Sequence, residues 1–186
     1  MVPSLEVECG HEQPRITPFS VYQSWGNAMA VLTSTQIGEP DPKISFHLKL
    51  LGFMKYSSGE IDTDWYETRL GIEVFNTRVE RPDPHICKAD IEWLVEWMKQ
   101  LVDAKEQQRP FFTQEPMFRI DAEPGAGPTF LLRILMQAWG TVPMFFSQEE
   151  GVAIFLPCGA ESLVSFSKEL QEEMAEVARL HTDRHR

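Results

Sequence analysis

Cysteine and histidine stand two residues apart at two places in this sequence, and each pair has atoms that could bind a metal ion. The pairs are Cys9 with His11 and His85 with Cys87. Residues two apart share a face of a strand, so each pair could direct one sulfur and one nitrogen at a cation. Structural zinc sites instead space their cysteines and histidines so that a turn wraps the ion. We therefore expect separate thiols beside surface histidines, and no metal or other cofactor.

Cys158 precedes the second predicted helix, where the positive end of a helix would lower the pKa of a thiol. No histidine lies near it in sequence, and a small buried side chain is the commoner role of a lone cysteine. A hydrolase-type enzyme remains an alternative, with a site assembled from residues distant in sequence. Its candidate residues are His47, His85, Cys87 and Cys158. The sequence contains no G-x-S-x-G, H-E-x-x-H or Walker signature.

Two further segments have the appearance of catalytic or phosphate-binding motifs. Asp62, Asp64 and Glu67 are the densest carboxylate cluster outside the predicted helices, but they follow residues 57–59 as a solvated loop would. General acid–base catalysis needs two carboxyl groups in different environments within a cleft. Residues 125–127 read Gly-Ala-Gly, but prolines flank them and a strand pattern follows, whereas a phosphate loop precedes a helix. We predict no catalytic residues here.

Two tryptophans on the first predicted helix are the stronger candidates for a contact surface. At 100° per residue, Trp97 borders the apolar stripe and Trp93 projects well away from it. Glu92 and Glu96 lie on the charged flank of the same helix. Exposed tryptophan is enriched at interface hot spots. The sequence therefore predicts a partner-binding surface made of Trp93, Trp97, Glu92 and Glu96.

In two other interpretations, the tryptophan side chains are covered and do not contact a different protein. Residues 107–116 carry Phe111 and Phe112 and could fold over the helix, because large apolar patches are rare on monomers. Alternatively, a second copy of the chain could bury them in a homo-oligomer of unknown role.

The elements that position these residues follow from hydrophobic periodicity. Alternation with period two predicts half-buried strands at 44–50, 117–123 and 152–156. The apolar run at 129–139 would pair with 117–123 as a hairpin. Earlier strands are expected near 4–8, 16–22 and 28–34. Within 70–79 the alternation slips by one residue near Val74 and Phe75, which predicts a β-bulge in one long strand.

Two segments follow the helical period instead. The first is predicted over 90–106 with Asp90 as its N-cap, and the second over 161–181, followed by a frayed tail at 182–186. The order of elements indicates an α+β fold, in which antiparallel sheets pack with two amphipathic helices. We expect residues 1–186 to form a single domain.

Composition limits the function classes. The 186 residues carry 28 carboxylates against 17 basic side chains, for a net charge of −11. Such acidity disfavours binding to nucleic acid and suits a basic protein partner. No apolar run reaches the roughly 18 residues that span a bilayer, and the first residues do not resemble a signal peptide. With three widely spaced cysteines, we expect free thiols and a cytoplasmic location.

The second half of the chain resembles the WapI-like immunity proteins, small bacterial proteins associated with polymorphic toxin systems. The resemblance spans about residues 65–180. Its segments are CKADIEWLVEWMKQLVDA, TQEPMFRIDAEP, FLLRILMQAW and ESLVSFSKELQEEM, with Glu115-Pro116 as the most specific element. It implies an inhibitor without cofactor or catalytic residues. We therefore expect a non-enzymatic, acidic binding protein, and specifically one that neutralises a toxin.

Overall fold

A computed structural model describes residues 29–36, 39–58, 61–81, 85–104, 109–115, 117–125, 129–137 and 151–184. These residues form two antiparallel sheets and two helices, which confirms the predicted α+β class. The strands predicted near 4–8 and 16–22 lie outside the described residues.

The first sheet is a meander built around one long hairpin. Its strands are β1 (Ala30–Gln36), β2 (Glu39–Ser58), β3 (Ile61–Val74), β4 (Thr77–Arg81) and β5 (His85–Cys87). The order is β1-β2-β3-β4, and β5 pairs with the first half of β3. The strand predicted over 44–50 is the middle of β2. The acidic residues 62–67 lie within β3, so their prediction as a loop was wrong.

The phase slip near Phe75 is a turn and not a bulge. Val74 pairs with Thr77, so only Phe75 and Asn76 connect β3 to β4. Phe75 has φ 54°, and a positive φ at the first central residue belongs to a type II′ hairpin turn. The predicted single strand over 70–79 is therefore two strands. The apolar alternation passes from even to odd positions because the two-residue turn places Val79 opposite Ile72, on the same face of the sheet.

The second sheet contains the predicted hairpin. Its strands are β6 (Phe111–Phe112), β7 (Phe118–Pro124), β8 (Thr129–Gln137) and β9 (Gly151–Gly159), in that order. The β7–β8 register runs from Phe118 opposite Met136 to Pro124 opposite Phe130. In β9, Ile154, Leu156 and Cys158 are buried whereas Val152 is exposed, so the apolar alternation begins two residues later than predicted.

Both helices are longer toward their N-termini than the sequence predicted. Helix α1 spans Lys88–Ala104 and α2 spans Ala160–Arg184. Asp90 consequently lies in the first turn of α1 and is not the N-cap. Helix α2 continues beyond Thr182 to Arg184, so the predicted frayed tail was wrong over those residues. No helix in the described part of the chain is long and apolar enough to cross a membrane.

The two sheets and the two helices share one apolar core. Strand β1 lies next to β9, α1 packs beside α2, and α2 also covers β1 and β2. Rings from three elements meet at the centre: Phe46 lies 5.4 Å from Phe118 and 6.0 Å from Phe166, measured between ring centroids. This core places α1, which carries Trp93 and Trp97, against β3, β5 and β6.

Candidate functional site

Trp97 is covered by the protein itself. Its side chain is 3% exposed, its indole Nε1 donates a hydrogen bond to the carbonyl of Arg109 at 2.8 Å, and its ring lies 6.1 Å from that of Phe111. The interpretation in which residues from the segment 107–116 fold over the helix is therefore correct for Trp97, which Arg109 and Phe111 contact. A direct contact between Trp97 and a partner does not fit this burial.

Trp93 keeps a free face. It is 40% exposed, and its ring packs against that of Phe111 at 4.8 Å. Phe112 stands perpendicular to it, at 5.7 Å between centroids and 89° between planes, and is itself 58% exposed. Edge-to-face geometry at this distance is favourable for aromatic rings. Trp93 and Phe112 thus form a solvent-facing aromatic pair in edge-to-face contact.

Three contacts hold the segment that presents Phe112. The carboxylate of Asp90, buried in the first turn of α1, accepts the backbone N–H of Gln114 at 2.9 Å. The Thr113 hydroxyl accepts the N–H of Met117 at 3.0 Å, and Arg81 donates to the carbonyl of Met117 at 3.1 Å. Burial raises the pKa of Asp90, and the bond from Gln114 opposes that shift. The aromatic pair is therefore displayed by a fixed backbone.

Glu92 and Glu96 are exposed beside the pair. Glu92 lies 3.8 Å from the Lys88 ammonium, and Glu96 accepts a hydrogen bond from Gln100 at 3.1 Å. Both of these contacts are between neighbouring turns of α1 at the surface, where such pairs are weak. We call the surface formed by Trp93, Phe112, Glu92 and Glu96 the aromatic–acidic surface.

A groove runs between α1 and α2 next to this surface. It has a volume of about 320 Å³ and is lined by Glu92, Val95, Glu96, Lys99, Gln171 and Met174. The two helices together carry ten carboxylates against five basic side chains. The helix layer is therefore acidic, like the chain as a whole.

Compared with protein-family models, with curated proteins and with solved structures, the chain matches none.

On the face of the first sheet opposite Phe46 and Leu48, a serine, a histidine and a glutamate come together. Ser45 Oγ lies 2.6 Å from His47 Nε2, and Glu73 Oε2 lies 3.7 Å from the same nitrogen. In a catalytic triad the acid contacts the other ring nitrogen, so that it orients the imidazole and fixes its tautomer. Burial, followed by the charge of Arg78, lowers the pKa of His47 to about 4. This cluster lacks the geometry of a hydrolase triad.

The thiol candidates are buried. Burial raises the pKa of Cys158 to about 12, and its Sγ contacts the carbonyl of Leu156 at 3.4 Å. The favoured interpretation of Cys158 as a small buried side chain is therefore confirmed. The alternative, a thiol whose pKa is lowered by the helix end, is wrong because burial raises that pKa. Cys87 is buried in β5 beside His85, whereas Cys9 and His11 lie outside the described residues. Among the residues that the structure describes, no group of three or more His, Cys, Asp or Glu side chains could hold a metal ion.

A second acidic feature lies where α2 crosses the first sheet. A cleft of about 390 Å³ is lined by Met29, Glu169, Glu172, Glu173 and Glu176. Glu173 is only 5% exposed. Its carboxylate accepts the N–H of Ala30 at 2.9 Å and that of Leu50 at 2.7 Å. These bonds attach the helix to the start of β1 and to the interior of β2, so we assign Glu173 a structural role.

The sequence predicted a surface with Trp93, Glu92 and Glu96, but it did not predict that Phe112 lies exposed beside Trp93. Phe112 follows Phe111 in a two-residue strand, and neighbouring residues of a strand point to opposite faces. The only signal in the sequence is the Phe-Phe pair between Pro110 and Thr113. That pair does not reveal which ring is buried.

Proposed function

We propose that this protein is a non-enzymatic binding protein whose aromatic–acidic surface docks on a basic face of a partner protein. The observation that carries the proposal is the exposed Trp93–Phe112 pair, held at 5.7 Å by a backbone segment that is tied to α1. Ordering aromatic anchors before association reduces the entropy cost of binding. The pair is therefore suited to fill a pocket on a partner.

The surrounding charge supports a basic partner. Glu92 and Glu96 stand beside the aromatic pair, on a helix layer with twice as many acidic as basic side chains. Carboxylates at the rim of an interface accelerate association with a positively charged surface, and salt screens this effect. Two copies of the same acidic layer would repel each other, so the charge favours a different protein over a homo-oligomer.

The specific role that we propose is neutralisation of a toxin in the bacterial cytoplasm. The resemblance to WapI-like immunity proteins and the acidic surface support this role. An inhibitor of this kind covers the toxin's functional face and needs neither cofactor nor catalytic residue.

The test uses the toxin-type domain encoded beside this gene, produced as an inactive variant. Association and dissociation rates would be measured for the unmodified chain and for the double variant Trp93→Ala/Phe112→Ala. We expect Kd to weaken at least about 100-fold, because each exposed aromatic anchor contributes about 2 kcal/mol or more when truncated. The matched control is Phe155→Ala, which removes a similarly exposed phenylalanine from β9.

The double variant Glu92→Lys/Glu96→Lys tests the contribution of charge to association. Glu123→Lys, at an exposed position on β7, is the control. The association rate should fall about 10-fold or more at low salt, and the difference should shrink at high salt. An association rate that is independent of salt, or equal losses for the surface variants and their controls, would contradict the proposal. If no toxin-type gene lies nearby, the immunity role fails.

A further inference from the structure

We propose that the groove between α1 and α2 receives one arginine side chain of the partner protein. This inference rests on the proposed function and specifies the chemistry that the docking surface recognises. It starts from the lining of the groove, which combines two carboxylates, one amide and an apolar floor.

The floor suits the aliphatic part of a long basic side chain. Val95 is buried and Met174 is half-buried against the core. Arginine buries its methylene groups along apolar surface while its charged end remains among polar groups. At about 320 Å³, the groove lies at the lower limit for small-molecule sites, so a single side chain is a fitting occupant.

The wall suits a guanidinium in particular. Glu92 and Glu96 are one helical turn apart on α1, and Gln171 faces them from α2. A planar guanidinium presents five N–H donors in a rigid fork and can bond two carboxylates at once, whereas a lysine ammonium acts as a point charge. The present partners of the carboxylates, Lys88 and Gln100, make only surface contacts with them, so their displacement costs little.

The charge of Lys99 predicts the direction in which the affinity for arginine should change. Its side chain lines the same groove, so its ammonium repels an incoming cation. Removing that charge should therefore strengthen binding of arginine, while removing a charge elsewhere on the helices should not. Lys168 on α2 is the matched control, because it is exposed and pairs with Glu172, and neither of these residues lines the groove.

The experiment titrates the full chain with N-acetyl-arginine methylamide and follows backbone amide shifts by NMR. The lysine and norleucine analogues are the comparison probes. We expect shifts on α1 and α2 around the groove, with arginine binding about 3-fold or more tightly than lysine. Lys99→Gln should tighten arginine binding about 3-fold, Lys168→Gln should leave it unchanged, and Glu92→Gln/Glu96→Gln should abolish it.

Shifts that are absent, that lie elsewhere, or that are the same for lysine and arginine would overturn the inference. So would a Lys99→Gln variant that binds arginine no better than the unmodified chain. The proposed function is tested separately by toxin-domain binding of Trp93→Ala/Phe112→Ala, because neither of these residues lines the groove. Circular dichroism of each variant checks that the fold is retained.

Discussion

The carboxylate of Glu173 accepts the backbone N–H of Ala30 at 2.9 Å, across 143 residues of sequence. The same carboxylate accepts the N–H of Leu50 at 2.7 Å, and Glu169 accepts the N–H of Val31 at 3.0 Å. Because Ala30 begins β1, these bonds supply acceptors where the β1–β2 ladder ends. Helix α2 is thus joined to the first sheet by buried polar contacts as well as by apolar packing.

The position of Glu173 predicts how stability depends on pH. Burial raises its pKa from 4.5 to about 7, while the N–H bonds and Lys49 oppose the shift and Glu169 adds to it. The native state then binds this proton more tightly than the unfolded state does. The resulting stabilisation is complete below about pH 4.5 and is lost as pH rises through about 7.

We expect Glu173→Gln to remove this contribution. Between about pH 5 and about pH 8, the free energy of unfolding should fall by about 2 kcal/mol more in the unmodified chain than in the variant. Urea titrations at the two pH values measure the difference. Glu172→Gln removes an exposed carboxyl from the next residue and should keep the slope of the unmodified chain. An equal slope in Glu173→Gln would contradict the prediction.

His47 predicts a dependence of the opposite sign. Burial and Arg78 lower its pKa from 6.5 to about 4, so the unfolded state binds this proton more readily. The contribution is present above about pH 6.5 and is lost as pH falls toward about 4. Relative to His47→Gln, the unmodified chain should lose about 2 kcal/mol of stability between about pH 7 and about pH 5.

Ser45→Ala is the control for this prediction. It removes the 2.6 Å contact with His47 Nε2 but keeps the imidazole buried. Because burial is the larger cause of the shift, Ser45→Ala should retain the acid sensitivity. Chemical denaturation at both pH values is the measurement, and loss of the sensitivity in Ser45→Ala alone would show that the hydroxyl contact is its cause.

Asp90→Ala should loosen the segment that presents Phe112. The substitution removes the hydrogen bond that the Asp90 carboxylate accepts from the N–H of Gln114. Its loss should lower the free energy of unfolding by about 2 kcal/mol. Hydrogen exchange of the Gln114 amide should accelerate accordingly. Asp103→Ala, at an exposed position on the same helix, should change stability by less than about 0.5 kcal/mol. An unchanged exchange rate in Asp90→Ala would show that the contact does not hold the segment.

Phe75→Gly should stabilise the protein. Phe75 has φ 54° and a side chain that is largely exposed, so it carries the cost of a left-handed conformation and little packing is lost with its ring. Thermal and urea unfolding should show that the free energy of unfolding rises by about 1 kcal/mol. Asn76→Gly, at the neighbouring turn position without a positive φ, should instead destabilise. A loss in Phe75→Gly would mean that the ring makes a stabilising contact.

Much of the fold could be predicted from the sequence because period and face are local properties. Residues 44–50 and 117–123 alternate with period two and residues 90–106 follow the helical period, and the structure has a strand, a strand and a helix over these segments. The error at Phe75 has a physical cause. A one-residue slip in the pattern arises equally from a bulge and from a two-residue turn, and only strand pairing distinguishes them.

The sequence by itself determined that Trp93 projects away from the apolar stripe, because helical geometry fixes the angle of each side chain. It did not determine that Trp97 is covered, that Phe112 completes the aromatic pair, or that Glu173 is buried. Those outcomes depend on contacts between residues far apart in the chain, such as Trp97 Nε1 with Arg109 and Glu173 with Ala30. Only the packing of α1 and α2 on the two sheets decided them, because burial and hydrogen-bond partners follow from tertiary position.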